Sequence, residues 1–174
     1  MSSKKVMLIT GATSGIGKAL ADFYYKKNFR LILTGTSSEK IKNLSKKFKK
    51  NTLLIQADLT KPKEIKRIVN ESIKKFNKID ILSICSPTHL HSKHIEESSK
   101  LGVKGIWSEK PLSTKTNELY RIKKILEKKN ILLEVNYFRR FISEIISLKK
   151  DIDLLKFGKL IHANGYYSDN LINN

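Results

Sequence analysis

The chain has 174 residues, enough for one domain with a real core. Its net charge is +19, from 35 Lys+Arg against 16 Asp+Glu. The basic residues are mostly lysines scattered as pairs, such as Lys26-Lys27, Lys74-Lys75 and Lys128-Lys129. With no arginine-rich tail and no basic-aromatic platform, the charge reads as a cationic helix surface rather than a specific nucleic-acid interface. The single cysteine, Cys85, excludes an internal disulfide and suits a reducing compartment. The apolar part of "MSSKKVMLIT" is too short for a signal peptide, and no apolar run approaches the roughly 20 residues needed to span a bilayer. A cytoplasmic protein is expected.

Short apolar runs alternate with longer amphipathic ones, the signature of βαβ units on a parallel sheet. Strands are predicted at about 5–10, 30–34, 52–56, 79–84, 103–107 and 131–136. Helices are predicted at about 15–27, 38–49, 62–76, 89–101, 113–128 and 140–155. The third helix shows the 3.6-residue period in Ile65, Ile68, Val69, Ser72, Ile73 and Phe76. The fold class is α/β, a doubly wound parallel sheet of Rossmann order 3-2-1-4-5-6. Its ligand crevice lies outside the carboxyl ends of strands one and four.

The first crossover, "VMLITGATSGIGKAL", places Gly11, Gly15 and Gly17 between a strand and a helix. Gly11 allows the tight turn, Gly15 lets amides approach a pyrophosphate, and Gly17 lets the helix pack close to the sheet. The helix N-terminus offers unpaired N–H groups to the anion. A dinucleotide site follows, for NAD or NADP. The end of strand two would read the adenosine ribose, but Gly35-Thr36-Ser37-Ser38-Glu39-Lys40 carries neither the usual acid nor a base in that place. Hydroxyls and Lys40 lean toward NADP, while Thr36-x-x-Glu39 equally reads as a capping box for the second helix. The choice of cofactor stays open.

"TGATSGIG", "LTGTSS" and "ADLT" together resemble the short-chain dehydrogenase/reductase family over about residues 4–82. The resemblance implies that Gly11, Ser14, Gly15, Ile16 and Gly17 line the pyrophosphate, with Thr36 at the ribose and Asp58 beside the adenine. Asp58 equally reads as a turn residue closing strand three. After residue 83 the text changes. The family's Asn-Ala-Gly turn is absent, and in its place stands Cys85-Ser86-Pro87-Thr88-His89-Leu90-His91. Tyr120 and Lys124 fit Tyr-x-x-x-Lys with Ser108 twelve residues ahead. In a lysine-rich chain that match reads as coincidence, because the run before Ser108 is too short for the family's long fourth helix.

The second half instead resembles the glucose-fructose oxidoreductase / inositol dehydrogenase (Gfo/Idh/MocA) family over about residues 79–168. The matching text is "DILSICSPTHLHSKHIEESSKLGVKGIWSEKPLS", "LLEVNYFRRF" and "FGKLIHANGYYSD". That resemblance implies a nicotinamide-side cofactor wall of Pro87, His91 and Glu109, a catalytic Lys110 before a cis proline, and an Arg139-Arg140 pair leading to a second domain. By themselves, His91 equally reads as a helix N-terminal residue, Lys110 as a surface lysine, and the arginines as ion-pair partners of Glu134 or Glu144. Lys110 would steady an alkoxide-like oxygen of a sugar, polyol or sugar-nucleotide substrate as hydride leaves. His89, His91 and His94 lack a carboxylate or thiolate partner at a convincing spacing, so no metal is expected. The expected division is a Rossmann domain at 1–137 and, at 138–174, a helix and strand that begin a truncated substrate domain. Residues 158–168 would then be an orphan strand through which two copies could pair. The alternative to an oxidoreductase is a catalytically incomplete nucleotide-binding or interaction module.

Overall fold

The computed structural model describes residues 4–165. Six strands are all parallel and stand in the order β3-β2-β1-β4-β5-β6: β1 Val6–Ile9, β2 Arg30–Gly35, β3 Thr52–Gln56, β4 Ile81–Ile84, β5 Gly105–Ser108 and β6 Leu132–Val135. This is the Rossmann order. Between them run α1 Gly15–Lys26, α2 Ser38–Lys47, α3 Pro62–Phe76, α4 His91–Ser98 and α5 Thr116–Lys129. Contacts divide the chain after Asn136.

Burial explains the strand text. Val6 to Ile9 is buried at every position, as befits a strand covered on both faces. One core layer gathers Leu8, Ile32, Ile68, Phe76, Leu82, Ile95 and Ile106, and the other gathers Met7, Ile9, Leu31, Leu33, Ile41 and Leu44. The two layers are the two faces of one sheet, split by the alternation of neighbouring strand residues. β3 and β6 are the edge strands, and Leu132 of β6 is 74% exposed.

Three expectations are corrected. The run 89–101 is not one helix: Thr88–Leu90 forms a 3-10 turn, α4 covers only His91–Ser98, and a turn follows. Entry through Pro87, whose backbone is extended at φ −57 and ψ 144, winds the start of this segment tightly before the wider helix begins. The cap of α2 is Ser37 rather than Thr36; its Oγ accepts from the Lys40 N–H at 3.3 Å. The 140–155 run is a 3-10 turn at Phe138–Phe141 followed by α6 Ser143–Asp153.

The unit after Asn136 is described by itself. Many of its large apolar side chains are exposed, among them Phe141, Ile146 and Phe157. Residues 158–165 form no sheet pairing among the described residues, and residues 166–168 of the expected strand lie outside them.

Candidate functional site

The glycine crossover is fixed from two sides. The Ala12 N–H donates to the Thr34 carbonyl at 2.8 Å, hanging the loop on β2. Thr10 ties it to β4: its hydroxyl lies 3.2 Å from the Ser83 carbonyl and accepts from the Cys85 N–H at 2.8 Å. Gly11 sits at φ +62, where side chains are disfavoured, and an added Cβ would meet the Cys85 carbonyl oxygen at 2.7 Å. At Gly17 a Cβ would fall on the Gly11 carbonyl oxygen, so α1 can approach the loop this closely only without a side chain. The Thr13 methyl fills the place of a Cβ on Gly35, at 2.5 Å.

At the start of α1 the N-cap is Ser14, whose side chain caps none of the first amides. The N–H groups of the first turn, from Gly15 to Gly17, are thus left pointing out of the helix, with its partial positive charge behind them. A cleft of ≈ 270 Å³ opens beside them. Its walls are Gly11, Thr13 and Ser14 from the crossover, Gly35 and Thr36 from the end of β2, Asp58 to Thr60 after β3, and Cys85 to Pro87 after β4. A glycine floor, free amides and a polar far wall fit the phosphates and adenosine of a dinucleotide.

The expected residues fall as follows. Gly11, Ser14, Thr36, Asp58 and Pro87 line the cleft. Gly15 and Ile16 are exposed at the mouth of α1, and Gly17 is buried behind the loop, a packing position. Asp58 does both things the sequence allowed. It faces the cleft, and its Oδ1 accepts from the Thr60 N–H and hydroxyl at 3.0 and 2.7 Å, which closes the turn into α3. Those Thr60 bonds hold its carboxyl below the usual carboxylate range, with Lys61 adding to the effect.

His91 opens α4 as its first residue. Its ring is 1% exposed and stands off the cleft wall, with Nδ1 2.8 Å from the Pro111 carbonyl oxygen and Nε2 2.7 Å from that of Ser86. Both neighbours are acceptors, so the neutral ring donates its one N–H to one of these two carbonyls. Glu109 is half-buried after β5, and its Oε1 accepts from the Asn136 amide at 2.8 Å. Lys110 follows it, exposed, before a cis peptide to Pro111. Ser108 is fully buried and its hydroxyl donates to the Glu109 carbonyl, whereas Tyr120 is 66% exposed on α5.

Two side chains near the cleft carry shifted titrations. Burial pushes the Cys85 thiol up to about 11, against the opposing bond from Ser83; the Glu109 charge adds to the rise. Burial lowers the pKa of His94, as do the charges of His91, Lys93 and His89, while the Leu59 main chain opposes. His94 Nδ1 lies 3.0 Å from Ser86 Oγ. Sequence reasoning gave Thr10 no role and weighed His94 only as a metal ligand. The signal for Thr10 was a hydroxyl residue at the exact end of a buried strand, ahead of the first glycine.

Among the described residues no three His, Cys, Asp or Glu side chains gather as metal ligands, and no helix is long and apolar enough to cross a membrane.

Comparison with known proteins gives the chain its relatives. It is 33% identical over 103 residues to 11-beta-hydroxysteroid dehydrogenase B of Sesamum indicum, and 39% identical over 80 residues to an NAD-dependent glycerol dehydrogenase of Listeria innocua. These alignments take in 57% and 45% of this chain but only 28% and 31% of those proteins. Among solved structures, a WlbA dehydrogenase from Thermus thermophilus with NAD and UDP-GlcNAcA superposes with a TM-score of 0.71, at 20% identity over 86% of this chain and 47% of that one. Myo-inositol 2-dehydrogenase from Lactobacillus plantarum gives 0.72, at 20% identity over 91% and 44%. Both likenesses are of fold. The chain therefore spans about a third of the curated relatives it matches and under half of these two structures.

Residues 5–105 match the short chain dehydrogenase family, past the point where the Asn-Ala-Gly turn is lost. NAD or NADP is accordingly the cofactor. With more than half of its residues inside the match, the chain belongs to the short chain dehydrogenase family.

Proposed function

We propose that the chain is an NAD(P)-dependent oxidoreductase whose Rossmann domain, residues 1–137, transfers hydride to or from a hydroxyl or carbonyl of a sugar, polyol or sugar nucleotide. The observation that carries this reading is the single cleft on which the Gly11–Gly17 crossover, the ends of β2 and β3, and the Cys85-Ser86-Pro87 loop converge. In this reading Ser14, Gly15 and Ile16 hold the pyrophosphate through the α1 amides, Thr36 and Asp58 meet the adenosine, and Pro87 borders the nicotinamide side. NAD(P) supplies the hydride acceptor when bound. Lys110, on the loop after β5, steadies negative charge on the reacting oxygen. Residues 138–174 open a substrate domain.

The names of the relatives support the class: an NAD-dependent glycerol dehydrogenase by sequence, and by fold a dehydrogenase holding NAD with a sugar nucleotide. The Glu109-Lys110-Pro111 block supports a Gfo/Idh/MocA-like second half joined to a short-chain-type first half at β4.

A second reading has its own support. Lys110 is exposed, and no hydrogen bond or ion pair joins it to an acid or histidine among the described residues. A nucleotide-binding module without turnover is consistent with that. Titration of the purified chain with NADH and NADPH is the test. Enhanced nicotinamide fluorescence and thermal stabilisation are expected, and the absence of both sinks the two readings together. Binding without turnover on a polyol and sugar panel favours the second.

A further inference from the structure

Behind the cofactor cleft, between the sheet, α3 and α4, lies a second and smaller cavity of ≈ 50 Å³. Thr34 and Leu59 belong to the walls of both. Most of its lining is apolar, with Leu8 and Ile68 among the walls. Three of its lining residues nevertheless carry a buried side-chain atom with no hydrogen-bond partner among the described residues: Thr34 Oγ1, His94 Nε2 and Glu97 Oε2. Thr34 is 1% exposed and His94 6%. The His94 ring is oriented from its other nitrogen, which Ser86 Oγ holds at 3.0 Å. The Leu59 main chain is close enough to influence the ring but does not satisfy Nε2.

Three desolvated polar atoms around one void are costly if the void is dry. A metal does not answer, since no three His, Cys, Asp or Glu side chains gather among the described residues. Size and chemistry select a smaller occupant. A water needs about 10–15 Å³ of such space and two to four polar partners. We propose that the cavity is an internal hydration site, binding a cluster of up to about three water molecules that joins Thr34 Oγ1, His94 Nε2 and Glu97 Oε2. Glu97 also lines an outer groove of ≈ 330 Å³ between α3 and α4, which gives the cluster its route to solvent. The cluster ties α4 to the end of β2 across the join between the chain's two halves, directly behind the adenosine wall of the cleft.

A high-resolution crystal structure of the full chain, together with thermal unfolding of Thr34→Val, tests this. Ordered water is expected within hydrogen-bonding distance of at least two of the three atoms. The variant's midpoint is expected to fall by several degrees, because a water loses a partner. A cavity empty of ordered water overturns the proposal. So does a midpoint that rises, as it would if a lone hydroxyl were removed from a dry void. If the variant does not fold, the structure of the unaltered chain decides alone.

Discussion

Gly11 and Cys85 touch across the sheet, so closely that a Cβ on the glycine would stand 2.7 Å from the cysteine's carbonyl oxygen. The contact joins the phosphate loop after β1 to the loop after β4, the two loops that border the crevice. The strictness of the glycine positions follows from contacts of this kind.

Gly17→Ala is the sharpest probe of that strictness. The new methyl would fall on the Gly11 carbonyl, backbone that cannot move without displacing the cofactor loop. A loss of about 1–3 kcal/mol in unfolding free energy is expected from denaturant titration, with cofactor binding lost even where the chain still folds.

Lys110→Ala is expected to lower any hydride-transfer rate by about a hundredfold or more, the scale of one electrostatic stabiliser of a developing oxyanion. Tyr120→Phe should leave the rate unchanged, since that ring stands exposed on α5. Steady-state rates of the two variants on the same substrate decide between them, and the reverse pattern would assign the chemistry to Tyr120.

Cys85 should behave as an inert thiol at neutral pH. With its pKa pushed up to about 11, alkylation by iodoacetamide at pH 7.5 should be far slower than for a free cysteine and should climb until about pH 11. The raised value favours the protonated form in the fold. Its contribution to stability is thus full below the unfolded thiol's value of about 8.5 and is lost as pH rises toward 11. Bound NADH should slow alkylation further, because Cys85 lines the cleft.

His94 acts in the opposite pH range. Its folded value is depressed, chiefly by burial, so the unfolded chain takes up the proton first. Stability from this group is full above the unfolded value of about 6.5 and falls as pH drops through that value to the lower folded one, by at most about 1.4 kcal/mol per pH unit. Unfolding curves between pH 7 and pH 5 should show the decline, and His94→Gln should flatten it.

The sheet was legible in the sequence because its strands are buried on both faces and bounded by turn residues. β3 falls on 52–56 as read, and β2 runs one residue past the expected end at Thr34, to Gly35. The α3 stripe was legible for a related reason: Ile68, Ser72 and Phe76 recur at fours and all are buried. The segment after β4 was not. Hydrophobic period does not distinguish a 3-10 turn at Thr88–Leu90 from the first turn of an α-helix. The site was half legible. Glycines announce close backbone approach in the text itself, so the cradle was found from Gly11, Gly15 and Gly17. The neighbours of His91 were not legible, because they are main-chain carbonyls, which carry no sequence signal. Ser37 displaced Thr36 as the helix cap by one position, within the ordinary uncertainty of helix ends.

The placement of His91 has a mechanical consequence. Between the Ser86 carbonyl and the Pro111 carbonyl, its imidazole closes a non-covalent ring of chain that contains α4 and β5. The two loops that leave β4 and β5 thereby meet at one buried imidazole. Their loss of freedom falls at folding rather than at ligand entry, so an incoming ligand finds that side of the crevice already set.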